Sequence, residues 1–92
     1  MASRTVTTEQ AATIGREIGI DWTSSLFDVT QFRAGIDIEF EHGSHDPETD
    51  VTNDDPMLTG KIAWAHLKEF PDYYDRLEVM EAQAHKEWAA RQ

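Results

Sequence analysis

The chain has 92 residues, a formal net charge of −10 and no cysteine, and 39% of its residues are hydrophobic. This length fits one domain with a modest core, and the missing thiols exclude disulfides and thiolate metal sites. No apolar run approaches the length of a membrane span, and the first residues do not resemble a signal peptide. We therefore expect a soluble, cytoplasmic protein without a membrane partner.

Two capping boxes mark the first two predicted helices. Thr7 and Asp28 are each followed three residues later by a glutamine, the pattern in which two residues cap each other's backbone N–H groups. They predict a first helix that ends at Gly19 and a second helix that runs to about His42. We expect residues 1–6 to be frayed.

The second helix carries a carboxylate where its apolar side should be. Its apolar stripe is Val29, Phe32, Ile36 and Phe40. Glu39 falls on or beside this stripe, and an unpaired charge buried there would be costly, so Glu39 needs a partner. His42 lies three residues further on, so a helix would present both side chains on the same side.

The negative charge is concentrated between the second and third helices. Residues 37–60 contain eight acids and neither Lys nor Arg. We expect residues 43–54 to form one long acidic loop, because turn-forming and polar residues dominate them. A field of this sign repels phosphate backbones, so we expect no direct nucleic-acid binding; it suits a cation, a basic protein partner or imitation of a nucleic acid's charge. The candidate partner-binding residues are Asp46, Glu48, Asp50, Asp54 and Asp55. A solvated loop without a partner is the alternative.

Asp55 followed by Pro56 predicts the start of a third helix. This helix is apolar on more than one side, which indicates a central position in a bundle. His66 and Glu69 nevertheless lie where its stripe should be apolar. Together with Glu39, they break the apolar pattern of two separate helices, which is typical of a functional site.

Pro71 breaks the chain direction before a fourth helix. The expected buried stripe of this helix is Tyr73, Leu77, Met80, Ala84 and Trp88. The four segments predict an all-α fold, a small four-helix domain that spans residues 1–92. Its connections are short except for the acidic loop between the second and third helices.

The Glu-x-x-His and His-x-x-Glu segments predict a metal site, because helical bundles build such sites from Glu and His on facing helices. The candidate ligands are Glu39, His42, His66 and Glu69, with Glu41 and His45 as substitutes in a different helix register. This donor set suits a divalent transition metal, Zn, Fe, Mn or Ni, better than Mg or Ca. With an open coordination position it would support a small metal-dependent hydrolase. The alternative is a buried polar network without an ion, in which these side chains bond one another, nearby Lys or Arg side chains, or the Tyr hydroxyls.

Four runs within residues 27–81 carry a resemblance to a known family. They are EFEHG at 39–43, TNDDP at 52–56, TGKIA at 59–63 and HLKEFPDYY at 66–74. In these runs the chain resembles a family of small acidic bacterial and phage proteins known only as a domain of unknown function. The resemblance implies a common fold and a bacterial or phage setting, in the cytoplasm of a bacterium or host cell or in a virion. It implies no activity.

Two classes of function remain open. An interaction protein would use its acidic surface to bind a basic or nucleic-acid-binding protein partner, with or without a stabilising metal, and with homo-oligomers allowed. A Glu/His metal-binding helical protein, including a small metal-dependent hydrolase, is the alternative. The serines lie near no recognisable base motif, so we favour a binding protein over an enzyme.

Overall fold

The computed structural model describes residues 5–91, and within that range it consists of helices and connecting turns without a strand. The helices are α1 (Thr8–Ile18), α2 (Val29–Glu39), α3 (Pro56–Glu69) and α4 (Tyr73–Ala90), and a 3₁₀ turn, Phe40–His42, extends α2. The predicted all-α, four-helix fold is therefore confirmed. Across the residues described, no helix combines the length and apolar character needed to cross a membrane.

The starts of three helices follow from local side-chain hydrogen bonds. Thr7 Oγ1 accepts a bond from the Gln10 backbone N–H at 3.1 Å, and Gln10 Oε1 accepts from the Thr7 N–H at 2.8 Å. Asp28 repeats this reciprocal arrangement with Gln31 at the start of α2. At the start of α3, the Asp55 carboxylate accepts from two backbone N–H groups. Each cap contributes about 1 kcal/mol to stability, so the chain encodes these three boundaries locally.

Helices α1, α2 and α3 enclose the core. Phe32 and Ile36 of α2 and Leu67 of α3 are almost fully buried between them. Trp22, in the connector from α1 to α2, packs edge-on against Phe32 with 5.5 Å between ring centroids. Its indole N–H donates to the Ala12 carbonyl at 3.0 Å, so the connector is tied to the same core through both an apolar and a polar contact.

The residues just before α1 also belong to the packed domain. Val6 is buried, its N–H donates to Asp37 Oδ1 at 3.0 Å, and its carbonyl accepts from Arg33 Nε at 2.7 Å. The frayed start was expected to cover residues 1–6. Residues 1–4 lie outside the described part of the chain, whereas Val6 is anchored to α2 rather than frayed.

Helix α4 packs on the domain only through its beginning. Tyr74 is buried and Leu77 is half-buried, but every residue from 78 to 91 is exposed. The expectation of a buried stripe along the whole helix was wrong for Met80, Ala84 and Trp88, because α4 runs past the end of the three-helix core. Periodicity indicates which side of a helix is apolar, but not what lies against that side.

A glycine allows α4 to approach α2. A Cβ added at Gly35 would lie within 3.0 Å of three carbons of the Tyr74 ring, which is closer than real side chains pack. We therefore expect Gly35→Ala to lower the free energy of unfolding by about 1–3 kcal/mol, the usual cost of overpacking a core. On an open helix the same change would stabilise the protein by about 1 kcal/mol.

Equilibrium urea unfolding in two backgrounds checks this prediction. With the ring removed by Tyr74→Ala, Gly35→Ala should be neutral or stabilising, because the two positions are directly coupled. Equal destabilisation in both backgrounds would contradict the packing explanation.

Candidate functional site

A buried carboxylate lies where α2, α3 and α4 meet. Glu39, the last residue of α2, is only 6% exposed. Its Oε2 accepts a hydrogen bond from the Tyr74 hydroxyl at 2.7 Å and lies 3.6 Å from His66 Nε2. We call Glu39, His66, Glu69, Tyr73 and Tyr74 the Glu39 cluster.

The two tyrosines surround His66 from different sides because they are consecutive at the start of α4. The Tyr73 ring stacks on the imidazole, with 4.2 Å between centroids and 13° between planes. The Tyr74 ring stands perpendicular to the imidazole at 6.2 Å and extends inward to Glu39. Tyr73 therefore shields His66 from solvent, and Tyr74 supplies the hydrogen bond that the buried carboxylate needs.

The Tyr74 hydroxyl remains a hydrogen-bond donor throughout the physiological pH range. Burial, followed by the hydrogen bond to Glu39 and the charge of that carboxylate, raises the pKa of Tyr74 above its ordinary value of 10.0. A neutral phenol beside an acceptor-only carboxylate is a stable arrangement, whereas a phenolate there would place two negative charges together in a buried site.

His66 lies between two carboxylates that face opposite nitrogens of its ring. Glu39 Oε2 is 3.6 Å from Nε2, and Glu69 Oε1 is 3.6 Å from Nδ1. Both distances exceed that of a good hydrogen bond, and Nδ1 is a buried atom without a hydrogen-bond partner among the residues described. The Glu69 side chain is 64% exposed, so its carboxylate has room to rotate toward Nδ1.

This geometry differs from that of a chelating site. One ion can bind only one nitrogen of an imidazole, so an ion on Nε2 would be remote from Glu69, and an ion on Nδ1 would be remote from Glu39. Within residues 5–91, no group of three or more His, Asp and Glu side chains is arranged to hold a metal ion. The cluster matches instead the alternative of a polar network that includes a Tyr hydroxyl.

The structure brings together three of the four predicted ligands. Glu39, His66 and Glu69 belong to the cluster, whereas His42 is exposed on the 3₁₀ turn. The substitutes Glu41 and His45 are exposed as well. His42 was expected beside Glu39 because residues three apart share a side of an α-helix, but the α-helical geometry ends at Glu39.

Tyr74 is the member of the cluster that the sequence did not single out. The signal for it was weak, because a Tyr-Tyr pair just after Pro71 offers two candidates and no way to choose between them. The buried Glu39 indicated that a donor was needed, but that donor came from a helix 35 residues away.

The acidic loop, residues 43–55, is folded rather than merely solvated. Asp54 accepts a hydrogen bond from the Ser44 N–H at 3.0 Å and a second from the Ser44 hydroxyl, which closes the loop at its base. Asp50 Oδ1 accepts from the N–H groups of Thr52 and Asn53, at 3.1 and 2.7 Å. Asp46 Oδ1 accepts from the Glu48 N–H at 3.1 Å.

Four of the five predicted partner-binding acids are therefore held in place by backbone N–H groups. Asp46, Glu48 and Asp55 are exposed, and Asp50 and Asp54 are half-buried. A Cβ at Gly43 would collide with the Asp54 carboxylate, so the close base of the loop requires glycine there. Four of these carboxylates, those of Asp46, Asp50, Asp54 and Asp55, thus have defined positions, in contrast to a charged tail whose side chains move independently.

We expect Tyr74→Phe to lower the free energy of unfolding by about 1–3 kcal/mol, because it leaves the buried Glu39 carboxylate without its hydrogen bond. It should also change how stability depends on pH. Since the folded-state pKa of Tyr74 is raised, the wild type keeps this stabilisation below pH 10 and loses it as the pH rises further, by up to about 1.4 kcal/mol per unit.

Denaturant unfolding between pH 8 and about 11 measures both effects. The matched control is Tyr73→Phe, which removes a hydroxyl from the neighbouring ring and keeps the stacking on His66. The alkaline slope should persist in Tyr73→Phe and be reduced in Tyr74→Phe. A slope that is the same in both variants would show that Tyr74 is not its source.

The comparison with protein families confirms the resemblance noted in the sequence. Residues 11–83 match the family described as Protein of unknown function (DUF5661), and this range contains the Glu39 cluster and the acidic loop. The chain has no match among the curated proteins or among the solved structures. Because the family match extends over most of the chain, the protein belongs to the DUF5661 family.

Proposed function

We propose that this protein is a small acidic binding domain that recognises a basic segment of a protein partner through its acidic loop. A nucleic-acid-binding protein is one kind of partner with the required charge. The observation that carries the proposal is that four acids, Asp46, Asp50, Asp54 and Asp55, are fixed in place by hydrogen bonds from backbone N–H groups.

Fixed charges favour binding over simple solubility. An ion pair between flexible exposed side chains contributes little, partly because both side chains lose conformational freedom. In the residues described, the backbone N–H groups bond to Oδ1 of Asp46, Asp50 and Asp55. Each of these carboxylates is therefore already ordered, and its Oδ2 is not used by that bond. A partner with Lys or Arg would meet a preorganised surface, which lowers the entropic cost of association.

The sign of the field supports the same choice. No Lys or Arg interrupts residues 37–60, so the potential over the loop is negative throughout. Such a surface accelerates the approach of a basic partner and repels nucleic acid. Binding should therefore weaken steeply as salt is added.

A matched pair of variants tests the proposal. The first neutralises three loop acids, Asp46→Asn, Glu48→Gln and Asp50→Asn, and keeps the side-chain oxygens that cap the backbone. The second neutralises three exposed acids elsewhere, Glu17→Gln, Glu81→Gln and Glu87→Gln. Both variants lose the same charge, so they separate the loop from net charge.

The measurement is calorimetric titration with a synthetic Lys/Arg-rich peptide at low and at physiological salt. We expect the loop variant to weaken binding at least about tenfold and the control variant less than about threefold. Equal effects of the two variants would show that the peptide is attracted by net charge and not by the loop. If the wild type does not bind the peptide, the proposal for basic segments is overturned.

Metal binding at Glu39, His42, His66 and Glu69 is the alternative that the sequence predicts, with a metal-dependent hydrolase as one form of it. The opposed carboxylates of His66 do not favour it. We expect a chelator to leave the melting temperature of protein purified without a histidine tag unchanged, and we expect no stoichiometric Zn, Fe, Mn or Ni in elemental analysis. A copurifying metal that is lost in His66→Ala would contradict this expectation.

A further inference from the structure

The second half of α4 leaves the domain and presents an uncovered apolar stripe. All residues from 78 to 91 are exposed, including Met80 at 55% and Trp88 at 62%. We call residues 78–91 the distal segment of α4. It is about 20 Å long at the helical rise of 1.5 Å per residue.

The exposed apolar residues on one side continue the contact that α4 makes with the core. Leu77 is half-buried against the domain, and Met80, Ala84 and Trp88 follow it at intervals of three, four and four residues. This spacing is that of the contact line between two packed helices. Val79, also exposed, lies about 140° round the helix from the middle of the stripe at 3.6 residues per turn.

A helix of this length needs something to pack against. Isolated helices shorter than about 12–15 residues are marginal in water, because most helical stability in proteins comes from tertiary packing. The Gln83 and Glu87 side chains bond one another at 3.3 Å along the surface of the segment, but an exposed pair of this kind adds only a few tenths of a kcal/mol. Persistent helix through residue 90 therefore calls for a partner.

The charge of α4 allows that partner to be a second copy of the chain. Residues 73–91 carry four acids and three Lys or Arg residues, so they account for only one of the ten net negative charges. Two copies that meet along this helix would therefore bring little net charge together, whereas contact through residues 37–60 would bring together eight negative charges from each copy. A strongly basic partner has no corresponding reason to prefer it, since the acidic loop offers a much stronger field.

The order of charges along α4 suits the pairing of two such helices in opposite directions. The acids Asp75, Glu78 and Glu81 come first, and His85, Lys86 and Arg91 come later, with Arg76 and Glu87 as the exceptions. In an antiparallel pair the acidic half of each helix faces the more basic half of the other. A parallel pair would place like charges together along both halves.

We propose that the distal segments of two copies pair antiparallel and form a homodimer. Pairing centred near residue 82 places Met80 of each copy against Ala84 of the other, a large side chain against a small one, twice by symmetry. The same register brings Glu81 next to His85 of the second copy, and each Trp88 packs near Leu77 of the other copy, beside the domain body.

The dimer is expected to be weak. Two helical segments of about 20 Å bury less than the 1,200–2,000 Å² of a standard stable interface, so association should fall in the micromolar range or above. This interface is independent of the acidic loop, and its failure would leave the proposal for a basic partner intact.

Sedimentation equilibrium over about 10 μM to 1 mM tests the dimer, with two variants that add the same charge to the same helix. Met80→Glu places a carboxylate in the stripe and should raise the dimer dissociation constant at least about tenfold, because an unpaired charge would be buried. Val79→Glu places it on the opposite side and should change that constant less than about threefold. Thermal melts of both variants check that the domain body is intact.

Disulfide trapping tests the orientation, since the chain has no cysteine of its own. Met80→Cys and Ala84→Cys proteins are prepared separately, mixed and oxidised. Antiparallel pairing predicts mainly mixed disulfides between the two variants, whereas parallel pairing predicts disulfides within each variant. A monomeric wild type, equal effects of the two glutamates, or a predominance of like-with-like disulfides would overturn the proposed dimer.

Discussion

The fold depends on how one buried charge is accommodated. Glu39 closes α2 inside the protein, where a carboxylate without partners would cost several kcal/mol. Tyr74 and His66 approach its Oε2 from two other helices, at 2.7 and 3.6 Å. The Tyr74 ring that reaches Glu39 lies against Gly35 of α2, so the beginning of α4 packs closely on α2. The contacts of Glu39 with Tyr74 and His66 therefore join three helices at one point.

Much of this arrangement was predictable, for reasons that are local. The capping residues Thr7, Asp28 and Asp55 mark their helices because each bonds backbone groups within three residues of itself. Glu39 was recognisable as an anomaly because it breaks an apolar stripe. The predictions about His42 and the stripe of α4 depended on structure beyond the local sequence. His42 would lie beside Glu39 only if the α-helix continued past residue 39. Met80 and Trp88 would be buried only if the core extended along the whole of α4. Neither condition can be read from periodicity.

The acidic loop shows that the same side chains can serve structure and recognition. Asp46, Asp50 and Asp54 satisfy backbone N–H groups that a loop of this shape would otherwise leave to water. They retain their negative charge while doing so, and the surface they form has a fixed geometry. A structural role for these acids is thus compatible with a role in binding a charged partner.

The closed base of this loop makes its tip a separable module. Ser44 and Asp54 join the two ends, and Gly43 allows that closure by lacking a side chain. The five exposed residues at 45–49 project beyond the closure and are not part of the core, whereas Asp50 caps the backbone N–H groups of Thr52 and Asn53. Lengthening the tip, or replacing it with a different recognition sequence, would therefore leave the helices in place. The domain has the organisation of a scaffold, in which the core holds an exposed surface segment at a fixed position.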